Sequence, residues 1–189
     1  MWPVALSAAR YAYRLEGPAA DLVHALKYEG WREASDFMSR SMADLVADIG
    51  TCDIAGSPES DIVVPIPTTL KRERSRGYNQ AGLLATRVAA RTGRPMRSIL
   101  RRVGSEGSQT ALSPEERREN VRGVFRLSGS GGVGIRGARV ILVDDVLTTG
   151  ATACEAAQVL TSEGAASVLL LAFARALPGG RTGQSKSAA

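Results

Sequence analysis

The sequence has 189 residues, of which 44% are hydrophobic and 23% charged, which suits one compact domain with a buried core. No run approaches the ~18 apolar residues of a membrane span, and the start lacks a secretory pattern of basic then apolar residues, so a cytoplasmic protein is expected. Cys52 and Cys154 form no C-x-x-C pair, which argues against a zinc site or a disulfide framework, while a net charge of +5, carried mostly by arginine, points to an anionic partner such as a phosphorylated metabolite or a nucleic acid.

In chain order, residues 1–16 read as a short lead-in. Ala19 to Val46 has helical apolar spacing, interrupted near Gly30. After a loop over 50–60, DIVVPIP (61–67) is a buried strand and Thr68 to Gly77 a polar, basic loop. Asn79 to Thr92 is a helix closed by Gly93, and Ser98 to Arg101 a short strand. Residues 102–120 are polar and aperiodic, a long loop with one helical turn after Pro114. Val124 to Leu127 is a further strand and Ser128 to Gly134 a glycine-rich turn. Arg139 to Val143 is an apolar strand, Thr149 to Ser162 a helix closed by Gly164, and Ser167 to Ala174 another apolar strand. From Pro178 onward the composition is that of a disordered tail. Strands alternating with helices, and apolar along their whole length, predict an α/β fold with a mainly parallel, twisted sheet flanked by helices.

The segment VILVDDVLTTGATACEAAQVL (140–160) carries the most chemistry. A buried strand runs into two carboxylates, then a Thr/Gly turn, then a helix. Ligands of open α/β sheets bind beyond the carboxyl ends of the strands. The first amides of a helix lack intrahelical partners and attract anions. Gly150 lets backbone approach closely, and Thr148, Thr149, Ala151 and Thr152 complete a phosphate cradle of amides and hydroxyls. Asp144 and Asp145 would repel a phosphate placed on them. One step away they suit sugar hydroxyls, or Mg²⁺ carried by the ligand rather than held by the protein alone. The division matches a ribose 5-phosphate.

Two rival phosphate folds fail on context. A P-loop needs G-x-x-x-x-G-K-[ST], and the chain has no Gly-Lys pair. Gly129, Gly131 and Gly134 match G-x-G-x-x-G, but a strand follows them where a dinucleotide site needs a helix. The single histidine, His24, is expected to be a packing or surface residue. For Tyr78, Asn79 and Gln80, ligand contact and simple helix capping remain equally open. KRERSR lies after a core strand, where it suits pyrophosphate or nucleic acid. Aromatic residues are only 5% of the chain and none interleaves with it, which leaves single-stranded DNA as a secondary partner.

VILVDDVLTTGAT resembles the signature of type I phosphoribosyltransferases. ALKYEG (25–30), IVVPIPTTLKRERSRGYNQA (62–81), SQTALSPEERRENVRGVF (108–125) and LLLAFAR (169–175) narrow the likeness to the ComF family, associated with competence and DNA uptake. The resemblance implies a parallel-sheet core (61–177) with a small N-terminal hood (1–60) and a tail (178–189). It implies Mg²⁺-dependent binding of phosphoribosyl pyrophosphate, with transfer or sensing of the phosphoribosyl group. Asp144 and Asp145 would hold the ribose and act in catalysis; Thr148 to Thr152 would hold the 5′-phosphate. Thr68, Thr69, Leu70, Lys71 and Arg72 would face the pyrophosphate, with Arg74 and Arg76 nearby. Tyr78, Asn79 and Gln80 are further ligand candidates, and Arg102 to Asn120, including Gln109, would be a closing loop. A homodimer is a further partner to consider. Two departures stand out: the paired C-x-x-C ribbon of many members is absent, and Gly104 and Glu106 replace an Arg and a Thr of the usual loop pattern.

Overall fold

The computed structural model describes residues 5–48, 61–103, 123–128 and 134–177. Four strands form its main sheet: β1 (Ala8–Arg14), β2 (Asp61–Pro65), β5 (Arg139–Leu147) and β6 (Ser167–Arg175). They lie in the order β1-β6-β5-β2, with every neighbouring pair parallel. β2 and the middle strands are β-branched or leucine-rich and buried almost end to end, as a sheet covered on both faces requires.

The helices supply that cover. On one face α1 (Gly17–Tyr28), α2 (Ala34–Asp48) and α4 (Gln80–Thr92) pack Leu26, Met38, Met42, Leu84 and Val88 against Val143, Leu171 and Phe173. On the other, α5 (Ala151–Ser162) sets Ala153, Ala156, Ala157 and Leu160 against Val140, Leu142, Val168 and Leu170. Each fully buried large apolar side chain contributes roughly 1.5–3 kcal/mol. These two clusters therefore account for the layered architecture. A two-stranded antiparallel ribbon, β3 (Leu100–Arg102) with β4 (Phe125–Leu127), stands apart from the main sheet. No described helix is long and apolar enough to cross a membrane.

The structure departs from the sequence reading in two elements, β1 and α3. The lead-in contains β1, which pairs with β6 at the sheet edge, so its half-buried AARYAYR pattern lacks the continuous apolar character of a central strand. The helical stretch over 19–46 breaks near Gly30 as its spacing implies, into α1 and α2, with Gly30 between them at φ 70°. The basic stretch after β2 is helix α3 (Leu70–Arg76) rather than loop. Thr69 starts it, its hydroxyl accepting from the Arg72 amide at 3.3 Å, and Gly77 ends it at φ 77°. The segment 8–48 thus contributes a strand and two helices to the layers around the sheet. The expected closing loop beyond Val103 and the tail lie outside the described residues.

At the N-terminal ends of β2 and β5, Asp61 and Arg139 are register partners. The buried Asp61 carboxylate meets Arg94 Nε at 2.8 Å and Arg139 Nε at 2.7 Å. At the opposite ends the same two strands open onto a cleft.

Candidate ligand site at the strand ends

β5 continues through both acids to Leu147, four residues further than the apolar run suggested. Its pairing with β6 explains why: Asp144 is opposite Ala172 and Val146 opposite Ala174. Asp145 is buried and turns to α1, where Lys27 Nζ lies 3.1 Å from its Oδ1. Asp144 is half-buried, and its Oδ1 accepts from the Asp145 amide at 2.9 Å. Burial, and then the adjacent Asp145 charge, push the Asp144 carboxyl from 3.8 up to about 7, against the opposing pull of the Asp145 amide and Lys27.

Beyond Leu147, Thr148 and Thr149 are exposed. Gly150 is the N-cap of α5 at φ 78°, a backbone state that a Cβ would strain. No side chain of the cap residue blocks the helix start, and its first turn has no acid. The Ala151 amide donates to Thr149 Oγ1 at 3.4 Å. The turn therefore exposes Thr148 and Thr149, with Gly150 buried behind them and the Ala151 amide shared with the Thr149 hydroxyl.

β2 supplies the facing wall. Ile66 extends its pairing, donating its amide to Val143 O at 2.9 Å, and Asn79 Nδ2 donates to Ile66 O at 3.1 Å, tying the loop to the start of α4. Thr68 reaches the cleft, Thr69 is occupied as the helix cap and Leu70 is 66% exposed. Helical spacing puts Arg72 and Arg76 on one face of α3. Both line a cavity of about 160 Å³ together with Lys27, Thr68, Gln80, Arg102, Asp144, Asp145 and Thr152. Gln80 is buried; its Oε1 accepts from Arg76 at 3.1 Å, while its Nε2 has no hydrogen-bond partner among the described residues. A buried amide donor without a partner is costly, and a ligand oxygen would relieve it.

A wider groove of about 630 Å³ adjoins, its lining including Lys27, Tyr28, Glu29, Lys71, Arg72 and Arg76. The smaller cavity alone falls short of the roughly 300–1,000 Å³ of small-molecule sites. The two share Lys27, Arg72 and Arg76, so together they offer a pocket that sets two carboxylates among four cations and opens into a mainly cationic groove.

Most of the residues singled out in the sequence come together here. Tyr78 has a packing position: its hydroxyl donates to Leu26 O at 2.5 Å and Arg32 lies 4.7 Å over its ring. His24 is exposed, with Nδ1 3.1 Å from Glu29 Oε1, and lines neither cavity. Arg102 reaches the cavity from β3, 5.5 Å over the Phe125 ring. Gln109, Gly104 and Glu106 lie outside the described residues. Lys27 is the site residue that sequence reasoning missed. It is one of three lysines in the chain and belongs to the ALKYEG stretch, but nothing local links it to Asp145.

The family described as "Phosphoribosyl transferase domain" matches residues 74–184. The "DNA utilization protein YhgH" of Salmonella typhi is 34% identical over 163 residues, covering 85% of this chain and 68% of that protein. "Competence protein F" of Haemophilus influenzae is 31% identical over 160 residues, covering 84% and 69%. "Competence protein ComFC" of Bacillus subtilis is 34% identical over 105 residues, covering 56% and 40%.

Proposed function

The chain belongs to the ComF family of proteins with a phosphoribosyltransferase fold, and from that premise we propose that it binds phosphoribosyl pyrophosphate with Mg²⁺ and passes on its phosphoribosyl group. One observation carries this reading: the acid pair of β5, the start of α5 and the arginines of α3 border a single cavity. In this reading the Thr148–Thr152 turn holds the 5′-phosphate. Asp144 and Asp145 accept from the ribose hydroxyls, and Lys71, Arg72 and Arg76 face the diphosphate.

The donor set suits Mg²⁺ that arrives on the ligand. Among the described residues no group of three or more His, Cys, Asp or Glu could hold a metal. Mg²⁺ commonly takes one or two carboxylates and completes its shell with phosphate oxygens and water. Asp144 and Asp145 are the carboxylates in place, and the ion would supply charge neutralisation at the diphosphate. In the transfer itself the bond from the anomeric carbon to pyrophosphate breaks, its electron pair leaves with pyrophosphate, and a bond to the acceptor forms. The α3 cations stabilise the departing charge.

Calorimetric titration with phosphoribosyl pyrophosphate and Mg²⁺ tests the reading. Replacing Asp144→Asn together with Asp145→Asn should weaken binding at least roughly a hundredfold, the loss expected from two charge-assisted hydrogen bonds. Equal affinities would remove the ribose role of the acids. Pyrophosphate release with an acceptor separates a transferase from a sensor that only binds.

A second reading, single-stranded DNA binding, is favoured by the groove. The Arg76 guanidinium lies 5.2 Å over the ring of Tyr28, which is 67% exposed beside Lys27, Lys71 and Arg72. Folding thus brings a stacking surface to a basic helix that has no aromatic of its own. The names of the relatives, DNA utilization and competence proteins, fit this partner. A steep fall of affinity with salt would mark it.

A further inference from the structure

Lys27 stands in the last turn of α1, between the two cavities, and lines both. Its ammonium is 3.1 Å from Asp145 Oδ1, with side-chain exposures of 23% and 10%. The oxygen it holds is one that the proposed function assigns to the ribose. The anchor of its side chain is fixed: Tyr78 bonds the Leu26 carbonyl one residue earlier, tying α1 to the start of α4. The four-carbon stem is flexible, and its three donors reorient without moving backbone. On the groove side the lining brings Lys71, Arg72 and Arg76 against one acid, Glu29, which lies 3.1 Å from His24 Nδ1, and this excess of cations makes that side a place for an anion.

Separating a largely buried ion pair is unfavourable unless both partners are satisfied elsewhere. A ligand that brings hydroxyls to Asp145 and a diphosphate to the groove satisfies both at once. A ligand with hydroxyls alone leaves the ammonium uncompensated. We propose that Lys27 is a two-position cation, paired with Asp145 in the empty site and turned to the diphosphate in the filled one, so that it selects diphosphate-bearing sugars over monophosphates. The inference rests on the phosphoribosyl reading of the site and adds a specificity-determining residue to it.

The chain's three lysines make a direct test practical. Reductive ¹³C-dimethylation keeps their charge and gives each a separate NMR signal, and Lys27→Met assigns that of Lys27. Phosphoribosyl pyrophosphate with Mg²⁺ should shift the Lys27 signal of the unaltered protein, and ribose 5-phosphate should leave it near its empty-site position. In competition titrations, Lys27→Met should weaken phosphoribosyl pyrophosphate roughly tenfold or more, the loss of one charge-assisted contact. Ribose 5-phosphate should bind as well or better, and Lys27→Arg should keep the preference. Equal weakening of both ligands would make Lys27 a mere prop for Asp145 and overturn the proposal, as would an unmoved Lys27 signal in a protein that binds phosphoribosyl pyrophosphate normally. Failure of the unaltered protein to bind that ligand would instead sink the phosphoribosyl reading and, with it, this inference.

Discussion

β2 and β5 end differently at their two extremities, although both ends bury acids. At the N-terminal end one carboxylate, Asp61, is held by two guanidiniums at 2.7 and 2.8 Å and sealed from water. At the C-terminal end two consecutive carboxylates share a pocket, and the one facing α1 is paired with a lysine. The first arrangement closes the sheet. The second keeps one carboxyl raised to about 7, and on the same wall the Gln80 amide nitrogen has no partner among the described residues. Groups held in an unfavourable state by burial and like charge cluster at functional sites. Opposite charges paired at one end and like charges adjacent at the other distinguish the structural end of the sheet from the ligand end, although Asp61 Oδ1 and Arg139 Nε, 2.7 Å apart, also lack a well-aligned hydrogen bond.

The contrast is most sharply broken by substitution at the closed end. Asp61→Ala leaves Arg94 and Arg139 without their buried anion and should cost about 3–5 kcal/mol in denaturant unfolding. Asp144→Asn removes a like-charge contact and should cost far less or stabilise the protein. Similar losses for the two would erase the distinction between the ends.

A smaller effect is the pH dependence of the open end. The folded chain holds the Asp144 proton more tightly than the unfolded one, since its carboxyl is raised from 3.8 to about 7. This group therefore favours the folded state at low pH, and that contribution is lost as pH rises through the window between those values. The melting temperature of the unliganded protein, measured relative to that of Asp144→Asn, should fall as pH rises from about 5 to about 8. A constant difference across that range would show that Asp144 ionises normally.

The ligand end was more legible in the sequence than the elements around it. VILVDDVLTTGAT shows a strand, two acids and a helix start in one contiguous run, so its local order could be read directly. α3 could not, because LKRERSR has no buried residue and hence no apolar period; its helix rests on the Thr69 cap and the Gly77 stop. β1 was missed because an edge strand buries too little to show a continuous apolar run. Lys27 was missed because its meeting with Asp145 joins the end of α1 to the end of β5 only in the folded chain, which leaves no local pattern. The same holds for Tyr28 beside Arg76, which changes the aromatic content of the basic surface only after folding.

The central claim is tested most directly by a crystal structure of the chain with phosphoribosyl pyrophosphate and Mg²⁺. The 5′-phosphate should lie on the amides of residues 150–152, the ribose hydroxyls on Asp144 and Asp145, and the diphosphate against Arg72 and Arg76. A ligand seated elsewhere, with Asp145 still paired to Lys27 and the α5 start bare, would contradict it.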